Sequence, residues 1–431
     1  MDYRDAVAYL EAHARGLKPG LERMQFLCDL LDDPQHKAPA IHLTGTNGKG
    51  STARMISSVL EAGGLSTGMF LSPYLQMPTE AFVLDGRPVT TDEFASLMTE
   101  LVPYFELMER RLGEAPAYFE IKTTMALTAF ANRGVDVAVI EVGLGGRWDA
   151  TNVVDGQVAV VTNVDIEHTN YLGPDRVSIA REKAGIIKPG AVAITAETNP
   201  DVVDILEERC SEVDASLWQI GQQFDVVSDS AAVGGRLVSL STPAGTYHDI
   251  FLPLHGSYQA LNAACALSAL EAFHGGALSE DLVQTGFGVV RSPGRLEVVR
   301  REPLVVLDVA HNPHGAAALG DALDDTFGPR PRIVVVGISE DKNRDNMLPH
   351  VVPGARVVAT AADFHRAVPP EVLAKEAEEA GATSAIAVAD VPSAVDAALA
   401  MADDGDLVLI TGSVYSVGEA RTHLVGPGPA L

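Results

Sequence analysis

Residues 40–64 read "AIHLTGTNGKGSTARMISSVLEAGG". An apolar run enters a loop of glycines, threonines and one lysine, and an amphipathic run leaves it, closed by Gly63-Gly64. The order is strand, loop, helix. The first N–H groups of a helix have no partner within it. Glycines let those groups curl around phosphate oxygens, and the helix dipole favours the negative charge. Lysine adds a mobile positive charge, and a hydroxyl after it can ligate Mg²⁺. Thr46, Asn47, Gly48, Lys49, Gly50 and Ser51 supply those parts. The spacing is G-x-x-G-K-G-S, shorter than the standard phosphate loop, which would need a glycine at Leu43. A glycine-rich turn with a solvated lysine is the plainer alternative, and the flanking strand and helix weigh against it.

The bulk composition narrows the rest. With 431 residues, 47% of them hydrophobic, the chain has length for two or three folded domains. Its longest apolar runs are too short to span a bilayer. The opening "MDYRDAVAYLEAHARG" carries charge throughout, so no signal peptide is expected. Cys28, Cys210 and Cys265 are scattered and odd in number, which fits a reducing cytoplasm better than a disulfide framework. The formal charge of −27 disfavours nucleic acid as a partner. An anionic small molecule would need a local positive pocket in a negative body.

Strands alternate with helices from "APAIHLT" (38–44) through "TGMFLS" (67–72), "VDVAVIEVG" (135–143), "QVAVVTNV" (157–164) and "AVAIT" (191–195). That alternation predicts a parallel sheet covered on both faces. A Thr-capped stretch from residue 90 and "YFEIKTTMALTAFANRG" read as helices. Residues 215–255 change character, and "SLWQIGQQFDVV", "GRLVSLST" and "YHDIFLPL" read as an antiparallel meander. After the helical "SYQALNAACALSALEAF", alternation restarts at "VVRSPGRLEVV" and runs to "DLVLITG", a second α/β domain. Pro293-Gly294 marks the break, giving domains of 1–292 and 293–431.

Other candidate residues also follow strands, where open α/β sheets bind ligands. Glu141 ends an apolar run, so its carboxylate should be paired or metal-bound. A salt bridge to Arg147 competes with Mg²⁺, and the cost of burial favours the metal. His168 and Lys183 are weak signals singly. Arg295, at the domain junction, could clamp a transferring phosphoryl group. Asp308, His311 and Asn312 precede a Pro-started helix, as ligand residues or as a capping network.

In order along the chain stand "TGTNGKGS", "SPYL", "EVGLGGRWDATN", "HTNYLG", "AREKAGIIKPG", "QALNAA", "SPGRLEVV", "DVAHNP" and "TGSVY". Together they resemble the folylpolyglutamate synthase/dihydrofolate synthase family of the Mur ligase superfamily, from about residue 20 to 421. The resemblance implies a P-loop ATPase domain with a mostly parallel central sheet and a smaller Rossmann-like C-terminal domain. It implies ligation of glutamate to the carboxylate of a pteroate or folate, with ATP activating that carboxylate as an acyl phosphate. It also implies two Mg²⁺ sites and a cytoplasmic monomer. By position, Lys49 resembles the lysine on the ATP phosphates. Ser51, Ser72 and Glu141 resemble the ligands of one Mg²⁺, and His168 and Lys183 the group around the second. The lysine matching Lys183 is often carbamylated in that family. Asn262 and Asp308 resemble nucleotide contacts, Arg295 the cross-domain clamp, and His311 the histidine near the reacting groups. Tyr118, Phe119, Arg147, Asp149 and Ala150 resemble the pterin side, and Ser413 and Tyr415 the amino-acid side.

One stretch departs from the family pattern. In "SPYLQMPTEAF", Tyr74 stands where histidine is usual, and Ala81 where arginine follows the acid. An apolar residue cannot make an arginine's charge contacts. Lineage drift within a folate enzyme and a sister ligase acting on another carboxylate or amine both accommodate this. A nucleotide-binding regulator without turnover fits poorly, because Lys49, Glu141, His168, Lys183, Arg295 and His311 are all present.

Overall fold

Six parallel strands form the body of the larger sheet in this computed structural model, which describes residues 1–14 and 19–430. In chain order the sheet's strands are β1 (Ala40–Thr44), β2 (Thr67–Phe70), β3 (Phe82–Leu84), β4 (Arg87–Pro88), β5 (Val137–Glu141), β6 (Gly156–Val161), β7 (Val192–Thr195) and β8 (Ser216–Gln219). They lie in the order β4-β3-β2-β5-β1-β6-β7-β8, with β3 and β4 added as an antiparallel edge. All five residues of β1 are buried, as both-face coverage requires. Ile41 and Leu43 join the core under helices Lys49–Ala62 and Tyr258–His274. Ala40, Phe70 and Ile140 join the core under helices Thr91–Leu112 and Tyr118–Arg133. The expected threonine cap is present: Thr90 Oγ1 accepts from Glu93 N, and the Glu93 carboxylate accepts from Thr90 N.

One expectation needs correction. Ser216–Gln219 is not part of the meander but pairs parallel with β7 at the sheet edge. A turn at Gln219–Gln223 separates it from three antiparallel strands, β9 (Asp225–Ala232), β10 (Gly235–Thr242) and β11 (Gly245–Leu252). A change of composition marks where a sheet edge begins, but not which neighbour a short strand takes.

The second sheet comprises β12 (Glu297–Arg301), β13 (Leu304–Leu307), β14 (Arg332–Val336), β15 (Arg356–Ala359), β16 (Ser384–Ala387) and β17 (Leu407–Thr411). Its order is β12-β13-β17-β14-β15-β16, parallel except for β12. Helices on both faces bury the runs of β13, β14 and β17. The helix expected between β14 and β15 is reduced to Leu348–Val351 and a preceding turn. The fold is thus mixed α/β with two largely parallel sheets. Among the described residues, no helix is long and apolar enough to cross a membrane.

The two sheets present their functional loops to each other. Arg236 of β10 is buried and binds Asp229 and, across the junction, Asp325 of helix Pro313–Phe327. Arg421 of helix Val414–Val425 binds Glu297 and Gln76.

Candidate active site

Adjacent strands β2, β5, β1 and β6 end side by side, and each contributes a loop to one cleft. β1 sits between β5 and β6, with Leu43 opposite both Glu141 and Val160. The phosphate loop therefore emerges next to Glu141 on one side and Thr162–His168 on the other. The lining of this cleft includes Ser51, Arg54, Ser72, Tyr74, Glu141 and Arg295.

Two glycines make the loop possible. Gly45 has φ +147° and Gly48 φ +86°. A Cβ on Gly45 would lie 1.8 Å from Thr162 Oγ1, and one on Gly48 would lie 2.4 Å from Asn262 Oδ1. The loop is tied down on both sides. Asn47 N donates to Asn163 Oδ1 at 2.9 Å, and Thr162 Oγ1 donates to Asn47 O at 2.6 Å. Thr46 Oγ1 accepts from Asp165 N at 2.9 Å. Asn312, from the other sheet's domain, donates Nδ2 to Asn47 Oδ1 at 3.0 Å. Lys49 Nζ folds back onto Gly45 O at 2.7 Å, inside the loop it serves. Asn262 lies against Gly48 and donates to Gln259, whose Nε2 reaches Ser51 Oγ at 3.4 Å.

Glu141 is buried, and its Oε2 accepts from Ser72 N at 3.0 Å. Among the described residues no hydrogen bond reaches Oε1. Burial pushes the carboxyl upward, and Lys49, the Ser72 N–H, Arg295 and Arg54 partly offset that. The competing salt bridge to Arg147 is absent among the described residues: Arg147 instead lies over the Trp148 ring, 5.0 Å from its centre. One buried carboxylate beside two serines suits Mg²⁺, which takes one or two carboxylates plus phosphate oxygens.

The second expected metal group has a different form. Lys183 is buried, and its Nζ donates to Glu167 Oε1 at 2.7 Å, while His168 is exposed. An ammonium is not a metal ligand. Burial drives the Lys183 amine down; Glu167 restores part and Lys49 lowers it further, leaving it at about 8. Burial also pushes Glu167 up, but Lys183 and Lys49 outweigh that and keep it ionised. Among the described residues, no three His, Cys, Asp or Glu converge as a metal cluster.

From the second sheet, Asp308 follows β13. Its Oδ2 accepts from Leu296 N at 2.9 Å and its Oδ1 from Ala310 N at 2.8 Å. Asp308 thus braces the turn that carries Arg295, while Asn312 caps helix Pro313–Phe327. The capping network is real, and it positions the cleft residues rather than replacing them. His311 Nδ1 lies 2.9 Å from Val309 O, so that nitrogen carries the proton and Nε2 is the acceptor. Burial, then Lys342, lowers this imidazole to about 4.

The acceptor-side residues divide. Phe119 packs on Gly143, where a Cβ would lie 2.4 Å from its Cζ. Tyr118 and Tyr74 stand beside it. Asp149 instead spends its carboxylate on its own loop, accepting from Leu144 N, Thr151 N and Thr151 Oγ1. Ala150 is buried in the short turn that Asp149 caps. Ser413 caps helix Val414–Val425, and Tyr415 stacks on Phe364 at 4.0 Å, both lining a shallow dimple apart from the cleft. The altered loop closes on itself: Glu80 accepts from the N–H groups of Leu75, Gln76, Met77 and Ala430. Ala81 is wholly buried. Of that loop's departures, only Tyr74 faces the cleft.

Sequence reasoning missed Arg54, Glu167 and Lys122. Arg54 lies just over one helical turn beyond Lys49, and Glu167 immediately precedes His168, so both carried a signal of spacing. Lys122 carried none.

Comparison with known proteins shows the family and the fold. The chain matches the Mur ligase middle domain over residues 43–270 and the Mur ligase glutamate ligase domain over residues 294–414. It is 40% identical to the dihydrofolate synthase/folylpolyglutamate synthase of Mycobacterium tuberculosis, covering 96% of this chain and 91% of that one. The structure of M. tuberculosis folylpolyglutamate synthase complexed with ADP superposes with a TM-score of 0.94 over 99% of both chains, at 40% identity. E. coli FolC in complex with DHPP and ADP superposes with a TM-score of 0.86 at 33% identity, over 98% of this chain and 97% of that one.

Proposed function

Since the chain belongs to the Mur ligase family, among its folylpolyglutamate synthase/dihydrofolate synthase members, we propose how its own residues carry out ATP-dependent ligation of glutamate to a folate-type carboxylate. The observation that carries the reading is the cleft itself: the start of the phosphate-loop helix, the buried carboxylate of Glu141 and two arginines, Arg54 and Arg295, converge there. A carboxylate is a poor electrophile. Its oxygen attacks the γ-phosphorus of ATP, the bridge to ADP breaks, and an acyl phosphate forms. The glutamate nitrogen attacks the acyl carbon, phosphate leaves, and the nitrogen gives up a proton.

The residues take these roles. Lys49 and the N–H groups of Gly48–Ser51 hold the phosphates, while those of Thr46 and Asn47 are spent on Asn163 and fix the loop. Asn262 and Asp308 frame the nucleotide side. Arg295 meets the transferring phosphoryl group, the point at which charge concentrates. Ser51, Ser72 and Glu141 would hold one Mg²⁺, which neutralises phosphate charge. Neutral His311 offers Nε2 to the incoming amine. Lys183, at about 8, has a substantial neutral fraction near pH 8, the form that adds CO₂. Carbamylated, it would join Glu167 and His168 as an oxygen donor for a second Mg²⁺. Phe119 would lie against the pterin, near Arg147, Asp149 and Ala150, and Ser413 and Tyr415 would serve the amino acid.

The same reading places the domain boundary at Ser292–Gly294 and takes the enzyme as a cytoplasmic monomer acting on small molecules. Free, buried Cys28, Cys210 and Cys265 support a reducing setting, and the charge of −27 weighs against nucleic acid.

The test is phosphate release with ATP, Mg²⁺ and L-glutamate, with dihydropteroate, tetrahydrofolate or no acceptor. Acceptor-dependent release with a mass gain of one glutamyl unit is expected. Silence with both pterins, from protein that binds ATP, would move the reading to a sister ligase.

A further inference from the structure

Lys122 lies near the start of helix Tyr118–Arg133, and 2% of it is exposed. Its Nζ stands 5.3 Å from the ring centre of Tyr74, 5.6 Å from Tyr118, 5.7 Å from Phe70 and 5.9 Å from Phe119. Among the described residues, no carboxylate is within ion-pair distance and no acceptor within hydrogen-bond distance of this amine. Four ring faces attract an ammonium without neutralising it. Burial lowers this amine to about 8 and Glu141 partly offsets that, so near neutral pH it is mostly an ammonium, and one without a partner attracts an anion more strongly than a solvated surface lysine does.

The surroundings say which anion. Tyr74 lines the cleft, and Phe119 covers Gly143 in the loop after β5. The carboxylate whose charge acts on Lys122 is that of Glu141, which lines the cleft. A ligand in the cleft meets Tyr74, and the Lys122 ammonium lies 5.3 Å from the centre of that ring and 5.9 Å from that of Phe119. That is a site for a flat aromatic body bearing a carboxylate.

We propose that Lys122 is an acceptor-binding residue, its ammonium holding a carboxylate of the acceptor while Tyr74 and Phe119 pack on the aromatic body. This rests on the folate-type acceptor read above. It gives Lys122 a part in specificity, since an acceptor must present both the rings and the negative charge.

The experiment compares the wild type with Lys122→Met, close in length but uncharged, in initial rates with dihydropteroate. The acceptor KM should rise about tenfold or more, with kcat within about threefold and the KM values for ATP and glutamate unmoved. Lys122→Gln is run beside it, and both are checked by thermal melting. In the wild type with a non-hydrolysable ATP analogue, pteroate should bind at least tenfold more tightly than its carboxamide. In the variants that preference should shrink by the factor seen in KM. An unchanged acceptor KM in either folded variant overturns the proposal, as does an equal rise in all three KM values. Equal binding of pteroate and carboxamide by the wild type overturns it without any variant. Absence of wild-type turnover with every pterin overturns the acceptor reading and this one together; turnover with an unmoved acceptor KM overturns this one alone.

Discussion

The two ends of the cleft are built by different means. The phosphate end is made of backbone: consecutive residues running from the end of β1 into its helix, shaped by Gly45 and Gly48, with N–H groups as the working parts. The acceptor end is made of side chains that the chain brings from afar. Phe70 ends β2, Tyr74 lies in the loop after it, and Tyr118, Phe119 and Lys122 open a helix much later in the chain. A site made of consecutive backbone tolerates little change, because each glycine answers to a specific neighbour. A site made of distant side chains can exchange members one at a time. Tyr74, the departure from the family pattern that faces the cleft, falls at the second end, in keeping with that difference.

The comparison breaks most readily at Lys49. Lys49→Ala should lower kcat/KM for ATP by about 10²–10³-fold, measured by steady-state phosphate release. A loss under tenfold would remove the phosphate end from the reaction. The next largest effect is at Asp149. Three donors in its own loop depend on its carboxylate, so Asp149→Ala should cost about 1–3 kcal/mol of stability, read as a lowered denaturation midpoint. If the acceptor KM rises while stability is kept, Asp149 binds substrate after all.

A few-fold effect is expected at Lys183. Its neutral fraction grows as pH rises through about 8, so added bicarbonate should stimulate activity more at about pH 8.5 than at about pH 7. Activity indifferent to CO₂, with an unmodified mass at that peptide, would sink the carbamate. The smallest effect is a slope in stability. His42 and His311 are held neutral in the fold, at about 3 and about 4, by burial in the first place. The unfolded chain binds protons at both below about 6.5 while the fold does not. Stability therefore falls as pH drops from about 6.5 towards about 4, and thermal melts at intervals across that range would show it. A midpoint flat through that range would mean these rings are charged in the fold.

What could be read in advance follows the same division. The phosphate loop, its strand and its helix were legible because glycine positions and apolar periodicity encode backbone directly. Glu141 was legible as a charge in an apolar run. The neighbour of Lys183 was not, because the sequence shows a lysine on a helix and cannot show that Glu167 folds onto it. Lys122 was invisible for a like reason: nothing in "YFEIK" says that Phe70 and Tyr74 will surround it. The edge strand Ser216–Gln219 went astray because so short and half-exposed a run carries no information on its partner. Asp149 was assigned to substrate by likeness, and its local hydrogen bonds became visible only with the turn it caps.

Asn47 has its N–H held by Asn163 of its own sheet and its side chain held by Asn312 of the other. One residue of the phosphate loop thus registers the distance between the domains. The seam between the domains is thus pinned at the phosphate loop itself, where Asn312 and His314 of the second domain both meet the side chain of Asn47.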